Sequence, residues 1–254
     1  KYISLITPSR WFTAEAQDKS FIKLREFIKN NNHFVSIFNF ANNKLVFPNV
    51  EIAGGVNYFL FSANYSGNVL FEEKYENNQI IMKRPLFEEG IDIIIAQNKS
   101  VDIIHKIKSK NGFIGLSTIA TGRNPFGIVG KESSLIKISR DNPFDNSIKL
   151  YCAHEIIKYI NAGTITKGID ILKSYKVFTS KANGGAGLLG DDKSVQIIGK
   201  SYVALPMEAC TDSLIAIGCY QTYEETVNLQ KYMTTKFLRY LAGVLKTSQN
   251  LYQG

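Results

Sequence analysis

The sequence predicts an α/β protein in two parts: a sheet with interleaved helices over residues 1–98, then a mixed α+β, loop-rich region over 99–254. Three observations carry this. Apolar, β-rich runs alternate with helix-periodic segments in the first part, which is the pattern of an α/β sheet. Gly115, Gly122, Pro125, Gly127, Gly130 and Pro143 then punctuate the chain between Phe113 and Leu150, with short β-rich pieces between them. A stretch with an apolar stripe closes the sequence from Glu224 to Leu245.

In order, Tyr2 to Ile6 is a short strand bounded by Pro8, and Thr13 is placed to cap a helix carrying Phe21, Leu24, Phe27 and Ile28. Phe34 to Phe40 is the next strand. Gly54 and Gly55 precede Val56 to Phe61, whose continuous apolar character predicts a strand buried on both faces. Val69 to Glu73 and Gln79 to Met82 read as a hairpin-like extension at the sheet edge, turned by Asn77 and Asn78. Ser100 is the expected N-cap of a helix through Val101, Ile104 and Ile107, closed by Asn111 and Gly112, and the domain junction falls there. Tyr175 to Thr179 alternates as a strand does; Asn183, Gly184, Gly185 and Gly187 then break the chain before apolar runs resume at Val195 and Tyr202. Val227, Leu229, Tyr232, Phe237, Leu238, Leu241 and Leu245 form the core-facing stripe of one closing helix.

Composition excludes several classes. With 254 residues and 44% hydrophobic content, the chain can bury a substantial core and is not a disordered tail. Its 30 Lys and Arg against 22 Asp and Glu give a formal charge of +8, which favours a polyanionic partner. Cys152, Cys210 and Cys219 are an odd, unpaired set, arguing against a disulfide framework and for a reducing, cytoplasmic setting. His33, His105 and His154 are too dispersed for a metal site. No apolar run approaches the roughly 20 residues that span a bilayer, so no membrane partner is expected. The opening KYISLI is strand-like, with no initiator methionine, which predicts a chain that begins inside a domain.

The residues needed for an independent active site are not apparent. Glu72 and Lys74 make half of a nuclease-like E-x-K pattern without a preceding Pro-Asp, and read as an exposed strand edge. Asn124-Pro125-Phe126 and Asn142-Pro143-Phe144 lack the second proline of an Asn-Pro-Pro-Tyr box and read as turns. The glycine-rich loop after Ser180 fits neither the P-loop nor the dinucleotide spacing.

ISLITPSRWF at Ile3 to Phe12 and LVFPNVEIAGGVNYFLFS at Leu45 to Ser62 resemble the late catalytic-domain segments of adenine-specific DNA methyltransferases of restriction-modification systems. STIATGRNPFGI at Ser117 to Ile128, YKVFTSKANGG at Tyr175 to Gly185 and the closing TDSLIAIG continue the resemblance in order. It implies part of a Rossmann-like methyltransferase sheet over 1–98 and a DNA target recognition domain over 99–254. It also implies S-adenosylmethionine as cofactor of the whole enzyme and an adenine flipped out of duplex DNA. The cofactor motif and the Asn-Pro-Pro-Tyr box lie upstream of the ITPSRWF strand in that family. No catalytic or cofactor-binding residue is therefore assigned to this chain, and the fragment is expected to be inactive without the upstream methyltransferase region. The alternative is a non-catalytic specificity or scaffold subunit of a restriction-modification complex, docking through the closing helix.

The resemblance assigns Phe47, with Pro48, to the target-base pocket, where the aromatic ring would stack on the flipped adenine. Basic residues in glycine-flanked loops nominate the DNA contacts: Arg123 with its neighbour Asn124 in the Gly122 to Gly127 segment, and Lys173, Lys176 and Lys181 around the loop running to Asp192.

Overall fold

A computed structural model describes residues 1–14, 16, 18–52, 54–110, 112, 114–130, 134–180 and 197–245. It is a mixed α/β structure of two compact units. The described residues of the first are those up to 112 together with 240–245; those of the second are 114–180 and 197–239.

The first unit is built on five strands: β1 (Tyr2–Pro8), β2 (Phe34–Phe40), β3 (Val56–Ser62), β4 (Val69–Lys74) and β5 (Gln79–Arg84). Their spatial order is β1-β3-β2-β4-β5, and only the β2/β4 pair is parallel. One face of this sheet is covered. Phe34, Ile37, Val69 and Phe71 pack there with Trp11, Phe12, Leu86 and Ile94, and with Ile28 of the helix α1 (Ser20–Asn30). The β4/β5 hairpin forms as expected at the sheet edge, with the Tyr75 amide donating to the Asn78 carbonyl at 2.9 Å.

Three local expectations are corrected. Helix α1 begins at Ser20 rather than after Thr13, because Ser9–Phe12 forms a 3-10 turn and the Asp18 carboxylate accepts the Ser20 amide at 3.0 Å. The second helix, α2 (Asn98–Lys108), starts two residues before Ser100, because the buried carboxylate of Glu73 accepts the Asn98 amide at 2.9 Å and acts as the cap. Strand β3 is not buried on both faces: Tyr58 to Phe61 are half-buried. Its neighbour β1 is an edge strand that leaves Tyr2 76% and Ile6 60% exposed.

A buried charged group stiffens the join between the hairpin and α2. Arg84 donates to Asn98 Oδ1 at 2.9 Å and to the Ile95 carbonyl, lies 3.4 Å from Glu88 Oε1, and stacks on the Phe71 ring. Burial pushes the Arg84 guanidinium below its usual range and the Glu73 carboxyl above its own.

The second unit opens with a 3-10 turn at Leu116–Ile119 and continues through the short helix α3 (Ser134–Lys137), β6 (Ser147–Tyr151), β7 (Ile157–Asn161) and α4 (Ile169–Lys173). Then follow β8 (Tyr175–Ser180), β9 (Ser201–Ala204), β10 (Glu208–Cys210), β11 (Leu214–Tyr220) and α5 (Tyr223–Met233). Two three-stranded sheets, β10-β6-β7 and β11-β8-β9, enclose a core that includes Phe126, Ile128, Leu150, Ile160, Phe178 and Ala216. Helix α5 packs Leu229 and Met233 against Val177, Ile215 and Ile217.

The single closing helix read from the sequence is two, α5 and α6 (Lys236–Leu245). The break is chemical. Thr234 and Thr235 each turn their hydroxyl back to a carbonyl of the preceding turn at 2.7 Å, and Thr235 Oγ1 accepts the Leu238 amide at 3.2 Å.

Candidate functional site

The first candidate is the rim where β1 and β2 end and β3 begins, brought together by the pairings Pro8↔Val56 and Phe40↔Val56. Three strands meet there through buried polar side chains that interrupt otherwise apolar runs. Ser9 Oγ donates to Asn39 Oδ1 at 2.7 Å, and Asn57 Nδ2 donates to Ser9 Oγ at 3.1 Å and to the Thr7 carbonyl at 3.2 Å. Thr7 Oγ1 in turn donates to Asn57 Oδ1 and accepts from Trp11 Nε1, both at 3.2 Å. A satisfied buried network of this kind fixes the strand ends relative to one another.

Gly55 completes the join. The amide of Ser9, just past the end of β1, donates to the Gly55 carbonyl at 2.9 Å, and a Cβ at Gly55 would fall 2.4 Å from the Phe40 carbonyl oxygen. With φ at +80°, the position requires glycine on two counts. The space beside Gly55 is thus taken by the chain's own backbone and has no room for S-adenosylmethionine, and no step through that cofactor is derived from this glycine.

From this rim the chain leaves β2 through a 3-10 turn, Asn43–Leu45. The Asn43 carbonyl accepts the Phe47 amide at 2.8 Å, the Asn43 side-chain amide donates to the Val50 carbonyl at 2.5 Å, and Lys44 pairs with Glu51 at 3.3 Å. These ties close a loop that carries Phe47, half-buried, and Pro48, exposed. Phe47 belongs to none of the apolar clusters among the described residues. Ser9, Asn39, Asn43 and Asn57 were missed as candidates; Asn39 and Asn57 carried a signal as polar residues inside apolar strand runs, whereas Ser9 and Asn43 lie in 3-10 turns and carried none.

The second candidate is the Gly122 to Gly127 loop of the second unit. Its entry is pinned to β11, with the Thr121 amide donating to the Ala216 carbonyl at 2.8 Å and Thr121 Oγ1 accepting the Ala216 amide at 2.9 Å. Its exit is anchored by Phe126 and Ile128 in the core. Asn124 adopts the left-handed conformation at φ 61°, and its carbonyl accepts the Lys167 ammonium at 3.0 Å. Arg123 is 52% exposed in its side chain and pairs through Nη2 with Oδ2 of Asp212 at 3.1 Å, whose side chain is 8% exposed.

The structure brings Arg123 and Asn124 together with Lys167 and Asp212, neither of which the sequence singled out. Lys173 is exposed at the end of α4. Lys181 and the glycine-rich loop lie outside the described residues. Lys176 is corrected: its side chain is fully buried, and its ammonium donates to the carbonyls of Leu205 at 2.7 Å, Ser174 at 3.1 Å and Leu172 at 3.3 Å. Such an ammonium does not reach a phosphate.

Glu72 is buried rather than at an exposed edge, where it pairs with Lys74, and no group of three or more His, Cys, Asp or Glu that could hold a metal occurs among the described residues. Among the described residues no helix is long and apolar enough to cross a membrane.

No family model matches the chain. Over 118 residues, 43% of this chain and 28% of the relative, it is 35% identical to an uncharacterized adenine-specific methylase from Mycoplasma pneumoniae (strain ATCC 29342 / M129 / Subtype 1). The type IIG restriction endonuclease BpuSI, a solved structure, aligns with 92% of this chain and 36% of its own at 12% identity and a TM-score of 0.33. The chain spans less than a third of the length of the methylase it matches, and by sequence it is similar to one part of that adenine-specific methylase.

Proposed function

We propose that this chain supplies DNA sequence recognition and one wall of the target-adenine pocket to a longer adenine-specific methyltransferase of a restriction-modification system. The observation that carries the reading is Phe47: a half-buried ring on a tied loop at a strand-end rim, in a chain of which 118 residues align with an adenine-specific methylase. Ligands of open α/β sheets bind outside strand ends of this kind. A flipped adenine loses stacking on both faces, and one aromatic wall recovers about 1–3 kcal/mol. S-adenosylmethionine would supply the methyl group and be held by residues outside this chain.

In this reading residues 1–98 are the late part of a Rossmann-like sheet and 99–254 the target recognition domain. The exposed apolar edge strand β1 supports an incomplete sheet, since natural sheets cover or charge such edges. Upstream residues of the same polypeptide would pair there, and the chain alone would be inactive. The formal charge of +8 supports a duplex DNA partner whose phosphates provide a large, salt-sensitive share of the affinity.

The test is made on the whole polypeptide that contains this chain, with duplex DNA carrying 2-aminopurine at the methylated position. Phe47→Ala should cut methylation and flipped-base binding roughly 5- to 150-fold while duplex affinity changes far less. Equal loss of duplex and flipped-base binding, or no loss of either, overturns the pocket assignment. Duplex binding that is undetectable at low salt overturns the DNA reading, and methylation by the 254-residue chain alone overturns its incompleteness.

A further inference from the structure

We infer that Arg123 reads a guanine through the major groove, and that Asp212 is the positioning residue that aims its guanidinium. The inference rests on the DNA-recognition reading and deepens it by naming the base and the side chain that selects it.

The geometry separates this pair from an ordinary surface ion pair. Asp212 is the buried partner and Arg123 the exposed one, so the carboxylate is a fixed point from which the guanidinium projects. Asp212 is itself held by its backbone, whose amide donates to the Ile128 carbonyl at 2.8 Å, two residues after core residue Phe126. Arg123 stands on a loop held at both ends: Thr121 on β11 before it, Phe126 and Ile128 in the core after it. Gly168 closes against the same loop, where a Cβ would lie 2.5 Å from the Pro125 carbonyl oxygen. Among the described residues only Nη2 of Arg123 is engaged, and that nitrogen carries a second hydrogen. Nε, Nη1 and the second Nη2 hydrogen stay available as donors in the guanidinium plane, which the carboxylate tethers at Nη2. Guanine offers a matching pair of acceptors, O6 and N7, on its major-groove edge. A phosphate would accept the same donors, but it needs no aimed donor; an exposed lysine such as Lys173, a point charge on a flexible stem, suffices for that.

The experiment is a selection from a pool of duplexes with a randomised 20-base-pair centre, performed with the whole polypeptide and with its Arg123→Lys, Arg123→Ala and Asp212→Asn variants. The wild type should enrich a motif containing a guanine preferred by about 5- to 150-fold, the range expected of one bidentate pair. Arg123→Lys, which keeps the charge and removes the planar donors, should lose that one preference and keep the others. Asp212→Asn should weaken the same position and no other. Because Asp212 is buried, the site is also probed without mutating it. A 7-deazaguanine at that position should weaken wild-type binding and leave Arg123→Ala unaffected. A motif retained intact by Arg123→Lys, with Arg123→Ala losing affinity uniformly across sequences, would assign Arg123 to phosphate and overturn the inference alone. A wild type that binds no duplex overturns the DNA-recognition reading, and this inference with it.

Discussion

The side-chain amide of Asn43 donates to the Val50 carbonyl at 2.5 Å, and the Asn43 backbone carbonyl accepts the Phe47 amide at 2.8 Å. One residue thereby brackets Phe47 from both sides. Asn43→Ala should cost about 1 kcal/mol in global stability, the net value of one hydrogen bond. It should also raise hydrogen exchange at the Phe47 amide more than at strand β2, because the loop opens before the sheet does. Equal changes at both places would show that Asn43 supports the fold at large and not the loop.

Gly55 combines φ of +80° with a carbonyl oxygen 2.4 Å from where a Cβ would sit. Gly55→Ala should therefore destabilise by about 3 kcal/mol or more, since left-handed strain and a backbone clash act together. Urea unfolding reads this directly. The matched control is Gly67→Ala, at φ 129° in open space, where only the conformational cost applies.

Arg84 and Glu88 are a buried ion pair, each with its side chain 3% exposed. Arg84→Met would leave the Glu88 carboxylate without that partner and remove the donor from Asn98 Oδ1 and the Ile95 carbonyl. The expected loss is about 3–5 kcal/mol, the usual cost of removing one member of a buried pair. A midpoint shift worth less than about 1 kcal/mol would mean that the pair is solvated in the native state.

Burial lowers the Lys176 ammonium from the usual 10.5 to about 8, only partly offset by Glu208. Below about 8 the folded and unfolded states both hold the proton, and the group adds no slope. Between about 8 and 10.5 the unfolded chain binds more protons, so this group makes stability rise with pH. Relative to Lys176→Met, the wild-type urea midpoint should therefore gain as pH goes from about 7.5 to about 9.5. Parallel pH curves for the two proteins would place the native ammonium in water. On the proposed DNA-recognition reading, duplex affinity and its salt slope should be the same in both, as this ammonium is held by three carbonyls.

Strand positions were legible where side-chain chemistry repeats locally. Tyr175 to Thr179, Phe34 to Phe40 and the hairpin turning at Asn77 and Asn78 all lie where apolar alternation and turn residues put them. Helix starts were less legible, because a cap can come from far along the chain. Glu73 caps α2 across 25 residues, a contact that no local pattern near Ser100 encodes. The paired threonines at 234 and 235 did carry a local signal for the break between α5 and α6, and the apolar stripe running through them concealed it.

The candidate sites divide along the same line. Phe47 and Pro48 are nominated by resemblance, and Arg123 by its glycine-flanked loop; residue type and neighbours suffice for a nomination. In sequence, Lys176 and Arg123 are both basic residues beside glycine-rich segments. Burial separates them: Lys176 faces inward from β8 onto three carbonyls, whereas Arg123 projects from a carboxylate 89 residues away in sequence. By itself the sequence determined the α/β class, most strands, the basic balance and the methylase resemblance, because these follow from composition and short-range order. Which polar residues meet at the rim, which lysine is buried and which arginine is held by a carboxylate were decided only by tertiary structure. Hydrogen bonding and desolvation depend on what the fold brings within about 3 Å, not on what lies nearby along the chain.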